Sequence, residues 1–348
     1  RSGRAISCYT PGYGGIAEAV MKMCLGNSLG FCFGDGIALE KIFGYSYASF
    51  IVEVPDGADT GEINGASLLG YVTEKAAVCR AGEEISLDKL SGIYENKLES
   101  VFRCNIKSSS GEAENFTFEA KERVRPASTV SAKPRVLIPV FPGTNCEYDS
   151  AKAVSDAGAE PEIFVINNRT PENISRSVED FAKAAAQSQI IFIPGGFSGG
   201  DEPDGSGKFI TAFFRSGAVR EQVGDLLERR GGLMCGICNG FQALIKLGLV
   251  PYGKICDTDE SFPTLTYNTI ARHQSKIVRV RVASNMSPWL ALTNPGEVYS
   301  VPVSHGEGRF IASDDLVRRL AENGQIATQY VDLEGNASGD ISFNPNGS

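Results

Sequence analysis

Histidine is scarce in this chain: 348 residues contain two, His273 and His305. Any chemistry that needs an imidazole has two candidates here. Long apolar runs are missing as well, and none approaches the ~18 residues of a membrane span. There is no excess of basic residues. Lys plus Arg number 33 against 42 Asp plus Glu, for a formal net charge of −9, which argues against non-specific nucleic-acid binding and against an anionic membrane surface. No basic stretch followed by an apolar one opens the sequence, so no signal peptide is read. The nine cysteines are odd in number and scattered. Cys235 and Cys238 form one C-x-x-C, and no second pair supplies zinc spacing. A reducing, cytoplasmic compartment with free thiols is expected. Internal repeats and low-complexity tracts are absent.

What is present fits a globular protein: 42% apolar and 22% charged residues, at a length that accommodates about two domains. The sequence opens Arg1-Ser2-Gly3 without an initiator Met and closes on the turn-like Asn344-Pro345-Asn346-Gly347-Ser348. A fragment is expected on that basis.

Residues 1–125 read as a mixed α+β unit. A helix is expected at Ile16–Met23, strands at Ser49–Val54, Leu68–Val72 and Phe116–Ala120, and a helix over Ile85–Phe102. A polar, proline-bracketed linker follows at 126–134. From 135 the texture changes. Val136–Phe141 is a continuous apolar run, as in a strand buried on both faces. Strand candidates Pro161–Ile166, Ile190–Ile193 and Gly232–Cys235 alternate with helix candidates Asp149–Ala157, Thr170–Gln187 and Phe209–Arg229. That alternation predicts an α/β fold with a parallel sheet, in which ligands bind at strand carboxyl ends.

Gly236-Ile237-Cys238-Asn239-Gly240-Phe241-Gln242 lies between the last of these strands and a helix over Phe241–Leu247. A cysteine between small residues on a sharp strand-to-helix turn has the form of a nucleophile elbow. The helix N-terminus behind it favours thiolate over thiol. The competing readings are a buried structural cysteine and a redox C-x-x-C. The latter is weakened because the reactive member of such a pair usually comes first. Ile193-Pro194-Gly195-Gly196-Phe197-Ser198-Gly199-Gly200 also ends a strand. It reads as an oxyanion loop, with Gly196 N–H and Asn239 N–H as the two donors, or as an ordinary glycine-rich loop. It is not a P-loop, since no Gly-Lys-Ser/Thr follows. By spacing, His305 is the better base candidate, because His305 and Glu307 would face one side of an extended segment. His273 reads as structural.

Together these motifs resemble the class I glutamine amidotransferases, and more closely the carboxyl-terminal part of the formylglycinamide ribonucleotide amidotransferases (phosphoribosylformylglycinamidine synthases). The resemblance rests on Phe141-Pro142-Gly143-Thr144-Asn145-Cys146-Glu147, Pro194–Ser198, Gly236–Gln242 and His305-Gly306-Glu307-Gly308-Arg309, over residues 135–348. Tyr9–Gly15 is similar to the tail of the family's aminoimidazole ribonucleotide synthetase-like lobe. The resemblance implies a parallel-sheet glutaminase domain in which Cys238 attacks the side-chain amide of glutamine and forms a glutamyl thioester. Gly196 and Asn239 would hold the oxyanion. Phe197, Gln242, Ser304, His305 and Gly306 would hold glutamine, and Cys146 would have a packing role. Ammonia would pass to the remainder of the synthetase chain or subunit. ATP and Mg2+ would act there, at sites outside this chain, and the glutaminase domain itself would need no cofactor. The family's base is a His-x-Glu downstream of His-Gly-Glu-Gly-Arg, a motif not reached by Ser348. On that basis His305 is a substrate-loop residue, while the spacing reading of a His305–Glu307 base pair stays open. The alternatives are a non-catalytic docking fragment of the same synthetase, or a cysteine hydrolase or redox sensor on a similar fold.

Overall fold

The computed structural model describes residues 5–58, 65–101, 113–122, 131–199 and 207–348. By contacts the chain divides into two units, 1–106 and 107–348.

The first unit carries β1 (Ser7–Tyr9), α1 (Gly15–Leu25), β2 (Gly30–Phe33), α2 (Leu39–Phe43), β3 (Ile51–Glu53), β4 (Gly70–Thr73), β5 (Ala77–Arg80), β6 (Glu83–Ser86) and α3 (Leu87–Asn96). It is α+β, with a four-stranded sheet ordered β4-β2-β5-β6 and a β1–β3 pair. Apolar residues at helical spacing on α1, Ile16, Ala19, Val20 and Cys24, pack with Phe33, Ile42 and Leu87 into one core. The helix expected over Ile85–Phe102 starts later. Residues 83–86 pair with β5 as a strand, and Ser86 caps α3 by accepting from Lys89 N–H. The expectation of free thiols fails at one place. Cys32 and Cys79 stand opposite each other on parallel neighbours, Cα atoms 4.5 Å apart, and are joined as a disulfide. Their register brings them within disulfide reach, which sequence spacing could not reveal. Cys8, Cys24, Cys146, Cys235, Cys238 and Cys256 are unbridged, and Cys104 lies outside the described residues.

The boundary expected near residue 125 differs from the division by contacts. Residues 113–122 are tied into the second unit: Phe118 N–H donates to Ala283 O at 2.8 Å, Ala120 N–H to Asn285 Oδ1 at 2.8 Å, and Arg281 to Phe116 O at 2.8 Å. The expected strand Phe116–Ala120 is a single bridge, Phe118 to Ser284. Most of the expected linker, 126–130, lies outside the described residues.

The second unit is built on β7 (Arg135–Val140), α4 (Glu147–Asp156), β8 (Glu160–Val165), α5 (Pro171–Gln187), β9 (Ile190–Ile193), α6 (Lys208–Phe214), α7 (Gly217–Gly224) running into a π-helical turn at Asp225–Arg229, β10 (Leu233–Gly236), α8 (Asn239–Leu247) and the short, kinked α9 (Leu249–Tyr252). The four strands form an all-parallel sheet ordered β10-β9-β7-β8, so the unit is α/β. The expected helix Phe209–Arg229 is two helices, with a break at Arg215-Ser216. Fully buried Leu137, Phe181, Ile191, Ile193, Ile210, Phe214 and Leu247 make the core. After β8 the chain returns to the opposite side of β7, so the order reverses between β7 and β9. Crevices in parallel sheets open at such a reversal, outside the strand carboxyl ends.

Beyond α9 the alternation stops. There follow β11 (Thr264–Thr266), β12 (Gln274–Val282), β13 (Val298–His305), β14 (Arg309–Ile311), α10 (Asp314–Glu322) and β15 (Thr328–Tyr330). They form an antiparallel sheet β13-β12-β15 and a β11–β14 pair. The alternating run Lys276–Val282 reads as a strand in the sequence, and β12 contains it. Among the described residues, no helix is long and apolar enough to cross a membrane.

Candidate active site

Three loops meet at the reversal point. The turn after β7, Pro142–Cys146, and the turn after β9, Pro194–Gly199, zip together as a short antiparallel bridge between Thr144 and Gly196. Phe197 N–H donates to Gly143 O at 2.7 Å, Asn145 N–H to Gly195 O at 3.0 Å, and Gly199 N–H to Pro142 O at 3.0 Å. The bridge thus uses the amides that flank Gly196 and leaves the Gly196 N–H out of the ladder. Gly196 has φ +121°, and a Cβ there would lie 2.6 Å from Thr144 Cα. Conformation and space both demand glycine. Sequence reading credited the second loop but missed that the first is its scaffold. Cys146, given a packing role, caps α4 at φ 67° with an exposed side chain.

The third loop is the turn from β10 into α8. Ile237 N–H continues the sheet by donating to Ile193 O at 3.0 Å. Cys238 then takes φ 52°, ψ −107°, a conformation that L residues rarely hold. Gln242 N–H donates to Cys238 O at 2.9 Å, closing the first turn of the helix. The Cys238 side chain is exposed, and it faces Gly195. A Cβ built on Gly195 would be 3.1 Å from Cys238 Cβ and 3.9 Å from its Sγ. Asn239 opens α8, so its N–H has no intrahelical acceptor. Cys235, three residues earlier, is half-buried in β10, and burial pushes its thiol pKa up. A thiol there stays protonated and unreactive.

Asn239 and Gln242 are both buried. Asn239 Oδ1 accepts from Ser198 N–H at 3.1 Å, and Asn239 Nδ2 donates to Gln242 Oε1 at 3.1 Å. Gln242 Nε2 donates to the Glu307 backbone O at 3.3 Å and to its Oε2 at 3.1 Å. The oxyanion-type loop, the elbow helix and the segment after β13 are therefore joined. Phe197, expected in a substrate role, is 56% exposed.

His305 and Glu307 do not form a pair. Glu307 is held by Gln242, while His305 Nδ1 lies 3.1 Å from Asn268 Oδ1. Asn268 Nδ2 already donates to Arg272 O and His305 O, both at 2.9 Å. Its oxygen must therefore be the acceptor, and His305 carries its proton on Nδ1. His305 Nε2 is buried with no hydrogen-bond partner among the described residues. Burial lowers the His305 pKa, with a backbone hydrogen bond working against it and the charge of His273 adding to it. Ser304 Oγ is 2.8 Å from His273 Nε2, and Gly306 O accepts from Asn268 N–H at 2.9 Å. Asn268, only 2% exposed, thus fastens the 305–308 segment through both faces of its amide, receiving Gly308 N–H at 3.3 Å as well. Nothing in the sequence marks it beyond its place in a loop before β12. Among the described residues no cluster of His, Cys, Asp and Glu could hold a metal ion.

Residues 133–348 match the family model for the CobB/CobQ-like glutamine amidotransferase domain. The chain is 36% identical over 221 residues to the phosphoribosylformylglycinamidine synthase subunit PurQ of Methanococcus maripaludis, covering 63% of this chain and 75% of that one. It is 31% identical over 219 residues to the same-named subunit of Salinibacter ruber, covering 62% and 77%. A solved structure of PurLQS from Thermotoga maritima aligns over 61% of this chain and 84% of that one, at 26% identity and a TM-score of 0.41. The family match over 133–348 and the extent of these identities give the conclusion that this chain belongs to the PurQ-like glutamine amidotransferases.

Proposed function

We propose that this chain hydrolyses the side-chain amide of glutamine at Cys238, as the glutaminase part of a phosphoribosylformylglycinamidine synthase in purine biosynthesis. The observation that carries the reading is the exposed Cys238 on its strained turn, with Gly195 beside it. The Cys238 sulfur adds to the amide carbon, and negative charge develops on the former carbonyl oxygen. The N–H groups of Gly196 and Asn239 receive that charge. Collapse of the adduct expels ammonia, which takes up the proton the thiol gave up, and leaves a glutamyl thioester. Water then cleaves the thioester to glutamate and restores the thiol. Each oxyanion donor contributes about 3 kcal/mol to lowering the barrier.

Phe197, Gln242, Ser304, His305 and Gly306 frame the glutamine site. His305 serves to hold its loop rather than to move protons. Its Nδ1–H is donated to Asn268, and Gln242 holds the Glu307 carboxylate. Ammonia is consumed in a partner lobe or subunit, where ATP drives amination of formylglycinamide ribonucleotide. The first unit is assigned to part of that synthetase-like lobe, and the compartment to the cytoplasm.

The test is labelling by 6-diazo-5-oxo-L-norleucine, a glutamine-analogue diazoketone, followed by peptide mapping. Cys238 should carry the label, and glutamine should protect it. Label on Cys146 or Cys235 instead would remove the assignment.

A further inference from the structure

The side chain of Asn239 does something separate from its backbone. Its N–H is the proposed second oxyanion donor, while its amide side chain reaches across to hold Ser198 N–H, two residues past the proposed first donor, Gly196. One residue therefore ties the two halves of the hole together. The tie does not end there. It continues through Gln242 to the carboxylate and backbone carbonyl of Glu307.

The direction of this relay is fixed by chemistry. A backbone N–H can only donate, so Ser198 obliges Asn239 to present its oxygen. Asn239 Nδ2 must then face Gln242, which obliges Gln242 to present Oε1. Gln242 Nε2 is left to point at Glu307, where the backbone carbonyl and a carboxylate oxygen accept. Every amide donates toward Glu307. In a buried chain of this kind each bond polarises the next. A negative charge at the far end makes Asn239 Oδ1 a better acceptor for Ser198 N–H.

We infer that Glu307 is a positioning residue for glutamine hydrolysis, acting through Gln242 and Asn239 to hold the Pro194–Gly199 loop against the Cys238 turn. It touches no reacting atom in this role. The inference rests on the reading of Cys238 as the glutaminase nucleophile. It adds that the segment after β13 sets the geometry of the oxyanion hole, in addition to framing glutamine.

The experiment compares two electrophiles on the full 348-residue chain. Reaction with 6-diazo-5-oxo-L-norleucine needs the glutamine site and the hole. Iodoacetamide needs only the thiol. In Glu307→Ala the diazoketone should label Cys238 about tenfold more slowly, the loss expected for one charge-assisted hydrogen bond, with the iodoacetamide rate unchanged. Glu307→Gln still offers an acceptor to Gln242 and should recover most of the rate. Glu307→Asp keeps the charge but is one methylene short, and should resemble Glu307→Ala. A double-mutant cycle then pairs Glu307→Ala with Asn239→Ser. The two residues are linked through Gln242, so the combined loss should fall well short of the product of the single losses. Thermal unfolding of each variant separates loss of fold from loss of rate, and Glu307→Gln against Glu307→Asp decides the matter if Glu307→Ala does not fold.

An unchanged diazoketone rate in Glu307→Ala overturns the inference. So does an equal slowing of iodoacetamide, or losses that multiply in the cycle. Failure of the wild-type chain to label at Cys238 would instead remove the glutaminase reading itself.

Discussion

Gly240 lies so close to Ile193 that a methyl group on it would sit 2.3 Å from the Ile193 carbonyl oxygen. Strand β9 and helix α8 are in backbone contact at this point, where Ile193 leads into the Pro194–Gly199 loop and two residues after Cys238. Because the obstructing atom is main chain, it cannot swing aside. Gly240→Ala should cost about 2 kcal/mol, as overpacking does, and should move both oxyanion donors. Loss of hydrolysis together with a lowered unfolding midpoint is expected. Gly217→Ala, where a Cβ meets nothing within 4 Å, is the control and should leave both quantities near wild type.

Cys238 predicts a change of the opposite sign. With φ 52° and ψ −107°, its backbone stores about 1–3 kcal/mol of strain. Glycine relaxes that strain, at an entropic cost of about 0.5–1 kcal/mol. Cys238→Gly should therefore abolish hydrolysis and raise the denaturant midpoint, whereas Cys238→Ala should abolish hydrolysis without stabilising the fold. Equal midpoints for the two variants would show that the turn is not strained.

How much of this was visible in the sequence follows from range. The continuous apolar runs at Val136–Phe141 and Ile190–Ile193 could be little but buried strands, and the small residues around Cys238 fixed the turn locally. The reversal of strand order around β7 depends on long-range pairing and was not legible; the sequence placed the Pro194-Gly195-Gly196 loop only at the end of a strand. Asn268 was not legible. Its importance lies in accepting from His305 and Gly308 while donating to Arg272 O and His305 O, all contacts made only once β12 and β13 pair. The His-x-Glu spacing of His305 and Glu307 suggested a couple for the same reason in reverse. Periodicity places side chains on a face but does not say which neighbour will arrive there. The chain leaves β13 at His305, and Gln242 from α8 takes the carboxylate.

Asn268 should be correspondingly sensitive. Asn268→Ala leaves His305 Nδ1–H and Gly308 N–H without their acceptor in a buried place, at about 1–3 kcal/mol for each group left unsatisfied. Asn268→Asp replaces the amide donor with an oxygen facing two carbonyl oxygens, and should be worse than alanine. In each variant that folds, KM for glutamine should rise more than kcat falls, because the frame of the substrate loop is loosened while Cys238 and Gly196 stay in place. Steady-state kinetics beside chemical denaturation would measure both. A fall in kcat at constant KM would assign Asn268 to the reaction step instead.

The buried His305 makes stability depend on pH, and the sign can be worked out. Burial disfavours the charged ring, so its pKa in the fold lies below the ordinary imidazole value, which is about 6.5 in an unfolded chain. As pH falls below that value, the unfolded chain takes up a proton that the folded one refuses. The unfolded state then binds more protons, and stability must rise with pH through this window. The contribution is complete above about pH 6.5 and is lost progressively as the solution is acidified toward the folded-state pKa. The groups facing the ring are the Asn268 amide, the Gly308 backbone and His273, none of which supplies a negative charge to reverse the sign. Denaturant midpoints from pH 7.5 down to 5 should therefore fall more steeply for the wild type than for His305→Gln, whose amide does not titrate. The difference between the two should shrink as pH drops. Parallel curves would mean that His305 takes up its proton as readily folded as unfolded, and that its ring is not sealed beneath the 305–308 segment.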